Sequence, residues 1–111
     1  MKLKIRNKTI KAAHVLQFEG SLDLLDSPDM PSRLLPYTKK HVGTIVVDLS
    51  TSTFVDSQWL AVFIRFDELC KAQKNLLYFL MPIDATVRDL FDSTGLTKVL
   101  RVIPSLEDIP Q

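Results

Sequence analysis

Between Ile45 and Met81 the chain has few ways to fold. Ile45-Val46-Val47-Asp48-Leu49 is short, β-branched and continuous, the pattern of a strand buried on both faces. Leu60 to Cys70 is strongly apolar, too long for one strand and free of Gly and Pro, so it reads as a helix from about Ser57 to Lys74. Asn75 opens a second apolar block, Leu76 to Met81, which Pro82 stops. Asp84 is placed to cap a further helix with a Val87, Leu90 and Phe91 stripe, and Gly95 ends that helix as a left-handed residue. Val99 to Ile103 reads as a last short strand, and Leu106 to Ile109 as a final turn of helix. Strand, helix, strand, helix, strand calls for right-handed crossovers between parallel strands.

Ahead of this unit, Lys2 to Ile10 alternates, with Leu3 and Ile5 on one face and Lys2, Lys4 and Arg6 on the other. That is a half-buried strand near an edge. Asn7-Lys8 is the composition of a tight turn. Ala13 to Glu19 alternates again, with His14, Leu16 and Phe18 together, and Gly20 ends it. The two segments form a hairpin. From Leu22 to Val42, Pro28, Pro31 and Pro36 rule out one long undistorted helix, so a short helix and a loop are expected there, the most irregular part of the molecule. The fold class is α/β: one domain over residues 1–111, a mixed sheet made of an N-terminal hairpin and then parallel βαβαβ, with helices packed against it.

At 111 residues, 46% of them apolar, the chain is long enough for a real core. A formal net charge of +1 supplies no basic field, which argues against a nucleic-acid partner. No stretch approaches the roughly 20 apolar residues that span a bilayer, and the N-terminus alternates instead of forming a signal-like apolar block, so a cytoplasmic placement is expected. Cys70 is the single cysteine and lies mid-helix, with no local His to lower its pKa. His14 and His41 are far apart. Three glycines, Gly20, Gly43 and Gly95, make no phosphate loop. Asp23, Asp26, Asp48 and Asp56 could gather near strand ends as in a magnesium-dependent phosphoryl receiver, but the lysine and threonine such a site uses have no convincing positions. No catalytic residue, metal or cofactor is expected.

What remains is the junction Thr53-Phe54-Val55-Asp56-Ser57-Gln58-Trp59-Leu60, between the first buried strand and the long helix. Asp56 or Ser57 suits the N-cap, where a short side-chain oxygen accepts from an unsatisfied amide; neither has Glu or Gln three residues on. The stretch resembles the Asp-Ser-Ser-Gly-Leu signature of STAS domains, the anti-sigma factor antagonists and their relatives. Phe18-Glu19-Gly20-Ser21-Leu22-Asp23 is similar to the family's early strand ending in Gly-x-Leu-Asp. Val87 to Leu96 is similar to its late helix closing in Thr-Gly-Leu, and Ile103 to Asp108 resembles its C-terminal tail.

The resemblance implies a regulatory binding module and no enzyme. Its partner is an anti-sigma factor that is also a serine kinase, its phosphoacceptor is Ser57, and its partner-binding surface holds Asp23, Asp56, Ser57, Gln58 and Trp59. Two departures stand out: Gln58 where a second serine is usual, and Trp59 where a glycine is usual. Trp59 reads three ways, as a block to the kinase, as an exposed anchor for the partner, or as a ring covered by its own fold. The departures also support an alternative, a STAS subunit of a larger assembly, such as a lipid-transport ATPase or a stress-sensing complex, without phosphorylation.

Overall fold

The structure is a computed structural model that describes residues 4–23, 27–40, 43–52, 54–81 and 85–109. Thr53, Pro82, Asp84, Asp26 and His41 lie outside them, and with them the helix cap expected of Asp84 and the strand stop expected of Pro82. Strands β1 (Lys4–Ile10) and β2 (Ala13–Glu19) precede helix α1 (Met30–Lys40), β3 (Thr44–Asp48), α2 (Gln58–Ala72), β4 (Leu76–Leu80), α3 (Ala85–Ser93), α4 (Leu96–Val99) and β5 (Arg101–Ile103). The sheet runs β1-β2-β3-β4-β5, so spatial order equals chain order. Only β1 and β2 are antiparallel; every later pair is parallel. The expected hairpin followed by parallel crossovers is the architecture found.

Right-handed crossovers that all step the same way place their helices on the same side of the sheet. The core follows from this. Leu16, Phe18, Ile45, Val47, Leu77 and Phe79 point from the strands into one apolar cluster with Met30 and Leu34 of α1, Phe63 and Phe66 of α2, Val87 and Phe91 of α3, and Leu96 of α4. The opposite face holds a smaller cluster, Ala13, Val15, Val46, Leu80 and Ile103, covered by Ile109 and by Leu106 in a short 3-10 turn, Leu106–Asp108. Both faces of the central strand are therefore buried, and continuous apolar runs are what such strands need. On α2 the apolar arc is wider than its contact: Val62, Phe63, Phe66 and Cys70 are buried, Leu60 is half-buried at the margin, and Ile64 faces out.

Three local expectations are corrected. Asn7-Lys8 is not a turn; β1 passes straight through it, and Asn7 hydrogen-bonds His14 across the hairpin and Tyr37 of α1. The turn is Lys11-Ala12, where both residues have positive φ, +50° and +66°, as a two-residue turn of type I′ sense requires. Pro36 does not end its helix but sits inside the 11-residue α1. Its missing N–H would have met the carbonyl of Ser32, and both residues are on the exposed side, where solvent can take that carbonyl. Finally, residues 96–99 form a helical turn, not the start of β5. Gly95 does lie in the left-handed region, φ +76°, and ends α3.

Asn75 is a small polar hub at the far end of the helices. Its Oδ1 accepts from the Gly43 N–H at 2.7 Å and its Nδ2 donates to the Thr38 carbonyl at 2.9 Å, while its own N–H donates to Cys70 O. It is 2% exposed. One residue thus joins the end of α1, the entry to β3 and the exit of α2. Asn75→Ala leaves a donor and an acceptor without partners, and the expected cost is about 2–4 kcal/mol in urea unfolding. Asn75→Asp keeps an acceptor for Gly43 but turns a buried carboxylate oxygen toward the Thr38 carbonyl, and should cost at least as much. A loss under about 1 kcal/mol for the alanine would show that solvent replaces both bonds.

Candidate functional site

The loops leaving β2 and β3 are joined beyond the edge of the sheet. Gly20, at φ +95°, turns the chain out of β2. Leu22 and Val55 then form a parallel bridge: the Leu22 N–H donates to Phe54 O at 2.9 Å, and the Asp56 N–H donates to Leu22 O at 2.8 Å. The pairing of β2 with β3 resumes here, and it brings Asp23 beside the start of α2. The hydroxyls of Thr51 and Ser52 donate to Phe18 O, which ties the rest of the loop to the end of β2.

At the helix start the capping question has a definite answer. Ser57 already has helical torsions, φ −58° and ψ −25°, and its hydroxyl makes no cap hydrogen bond. Asp56 does the capping: its Oδ1 accepts from the Gln58 N–H at 2.9 Å and its carbonyl from the Trp59 N–H at 2.9 Å. The Leu60 N–H is taken by Ser57 O at 3.1 Å. The first-turn amides of residues 58–60 are therefore occupied, and Ser57 Oγ stands exposed above them. Gln58 is exposed beside it, and Asp56 is half-buried.

Trp59 takes no part in that surface. It is 0% exposed, its ring edge-on to Phe18 at 6.0 Å and tilted against Phe63 at 5.9 Å. Its Nε1–H donates to Asp23 O at 2.7 Å. An exposed anchor is thus excluded in this structure, because the indole faces the sheet, and so is a shield over Ser57. The covered ring is the arrangement found, closed by the loop that carries Asp23. What Asp23 contributes to α2 is its backbone carbonyl. Ser57, Gln58, Asp56 and Asp23 are brought together; Trp59 lies beneath them.

Among the described residues, Asp23 lies beside Asp56 but the aspartates form no shared site. Asp48, 1% exposed, accepts from the Ser50 N–H in its own turn at 2.8 Å, and Asp56 caps α2. Among the described residues no three His, Cys, Asp or Glu side chains gather as a metal-binding group. Burial, and then Asp67, push the Cys70 thiol up to about 12, so it is protonated near neutral pH and no nucleophile. His14 is structural, bound to Asn7 and edge-on to Tyr37.

Sequence reasoning missed one feature. Between residues 54–55 and α3 lies a groove of about 340 Å3, lined by Phe54, Val55, Thr86, Val87, Asp89, Leu90 and Ser93. Phe54 is 50% exposed. Its signal was a lone aromatic in an otherwise hydroxyl-rich loop.

No helix of the described residues is long and apolar enough to cross a membrane. The chain is 26% identical over 103 residues to the anti-sigma-B factor antagonist of Staphylococcus epidermidis, an alignment that covers 92% of this chain and 94% of that protein. Among solved structures, TM1081 of Thermotoga maritima superposes with a TM-score of 0.78 at 14% identity, covering 94% of this chain and 89% of its own. The Bacillus cell-fate determinant SpoIIAA, in its phosphorylated form, gives 0.66 at 18% identity, covering 96% and 95%. At such identities the structural likeness speaks for the fold alone. The STAS domain model, however, matches residues 4–109, nearly the whole described chain. The chain belongs to the STAS domain family.

Proposed function

We propose that this protein is an anti-anti-sigma factor: it docks an anti-sigma factor on the surface around the start of α2, and phosphorylation of Ser57 by that factor, acting as a serine kinase, ends the contact. The observation that carries this reading is the Ser57 hydroxyl, exposed at the start of a 15-residue helix and relieved of capping by Asp56. A nucleophile for phosphoryl transfer must be reachable, and modifying it should leave the fold intact. Ser57 meets both conditions. In the reaction, Ser57 Oγ bonds to the γ-phosphorus of ATP, the bond to the bridging oxygen of ADP breaks, and the hydroxyl proton leaves to a base on the kinase. This chain is then substrate and binding partner, and no enzyme. The curated relative named as an anti-sigma-B factor antagonist supports the same role.

The phosphate adds about −1.5 to −2 charges. Because the amides of residues 58–60 are already used, they are not free to hold it, and it stands next to the Asp56 carboxylate. The fold should change little, while a partner must now desolvate two neighbouring anions. Incubation with the anti-sigma factor of the source cell and MgATP is expected to add one phosphoryl group, located on Ser57 by peptide mass spectrometry and absent from Ser57→Ala. A bound factor that leaves Ser57 unmodified would overturn the switch and favour the second reading, a non-phosphorylated STAS subunit of a larger assembly. That reading rests on Gln58, whose exposed side chain stands beside Ser57 where the family resemblance expects serine.

A further inference from the structure

We infer that the groove between residues 54–55 and α3 seats an apolar side chain of a cationic amphipathic helix on the partner; the inference rests on reading the start of α2 as the docking surface. Four observations converge. First, the groove is apolar where it is deep, with Val55 and Val87 buried and Leu90 half-buried, and about 340 Å3 suits a leucine or phenylalanine side chain with room for its neighbour. Second, its polar side among the described residues is a line along α3, Thr86, Asp89 and Ser93. These lie three and four residues apart, so the groove follows α3 for two turns, roughly 10 Å, the footprint of a helix laid alongside.

Third, Asp89 is the one charged residue among the described residues that line the groove. It takes part in none of the ion pairs among the described residues, Arg6–Glu19, Arg65–Glu68 and Lys71–Asp67. Arg88, next along α3, is not among the lining residues. A helix that presents Lys or Arg beside its apolar anchor complements this rim, and an acidic one is repelled. Fourth, Phe54 and Val55 lead directly into Asp56-Ser57. A partner seated in the groove therefore extends over the phosphoacceptor, and a phosphate on Ser57 stands at the edge of the contact it has to break.

The probe is a fluorescein-labelled amphipathic helix of leucine and lysine, with a second peptide in which every lysine is glutamate. The lysine peptide should bind with amide shifts confined to residues 54–57 and 86–93. Phe54→Ala should weaken it about tenfold, as should Asp89→Lys, and Asp89→Lys should also bind the glutamate peptide better than wild type does. Phe54 and Asp89 are both exposed, so neither change threatens the fold; Leu90→Ala is a third test, read only at unchanged unfolding. Equal affinity for the two peptides, or shifts elsewhere, would overturn the groove. The two proposals separate cleanly. If the anti-sigma factor binds and Ser57→Asp releases it while Phe54→Ala and Asp89→Lys change nothing, the groove is wrong and the switch stands. If no anti-sigma factor binds but the peptide results hold, the groove stands and the switch falls.

Discussion

Trp59→Ala is expected to cost about 3–5 kcal/mol of stability, the largest effect of any single substitution proposed here. The indole is fully buried between Phe18 of β2 and Phe63 of α2, so its removal leaves a cavity where helix and sheet meet. It also leaves the Asp23 carbonyl without the indole N–H. Trp59→Phe separates the two losses: most of the packing stays, the hydrogen bond goes, and the cost should be about 1–3 kcal/mol. Because Trp59 is the single tryptophan of the chain, unfolding of both variants must be followed by circular dichroism. A loss below about 1 kcal/mol for the alanine would mean that the start of α2 is not held through this ring. The same burial makes Trp59→Gly a poor test of whether the residue blocks a kinase, since it would dismantle the helix start before it exposed anything.

Ser57→Asp should lower affinity for the anti-sigma factor at least about a hundredfold, roughly 2.7 kcal/mol, while Ser57→Ala binds as the unmodified protein does. Aspartate carries less charge than a phosphate, but it stands beside Asp56, and the two carboxylates would have to be desolvated together. Stability should hardly register either change, within about 0.5 kcal/mol, because the exposed hydroxyl makes no cap bond. The cap penalty, about 0.5–2 kcal/mol, belongs instead to Asp56→Ala. Titration calorimetry beside urea unfolding checks all three variants. Equal affinities for Ser57→Asp and Ser57→Ala would leave the serine no regulatory part in binding.

Periodicity carried the second half of the molecule. Ile45 to Leu49, the Gly- and Pro-free stretch after Leu60, and Leu76 to Met81 each have one reading that buries their side chains, and their alternation with helices makes the strands parallel. The failures were of a different kind. Lys11 and Ala12 adopt positive φ without being Gly or Asn, so the true turn carried no compositional mark, while Asn7-Lys8 carried one and is strand. Pro36 reads as ending or kinking a helix because a proline costs it one bond; nothing local reveals that the carbonyl it strands faces solvent. In the site, the choice between Asp56 and Ser57 as cap depends on one backbone torsion, and the depth of Trp59 depends on a carbonyl 36 residues away. Such long-range contacts leave no trace in a local pattern. The groove at Phe54 likewise needs α3, which begins 31 residues on at Ala85, as its second wall.

A sheet whose strands lie side by side in chain order also sets a timetable. As the polypeptide leaves the ribosome, N-terminal part first at about 5–20 residues per second, each new strand finds its neighbour already waiting, and no slot has to be held open for a later one. The β1–β2 hairpin can serve as template for β3, and β3 for β4. Two edges are open on this route, the outer side of β1, which stays free and carries Lys and Arg side chains, and the growing one, which is where off-pathway pairing between nascent chains would start. The other side of the sheet follows a different schedule. Ala13, Val15, Val46 and Leu80 are covered by Leu106 and Ile109, which emerge after every strand, so that face stays wet until synthesis has passed them.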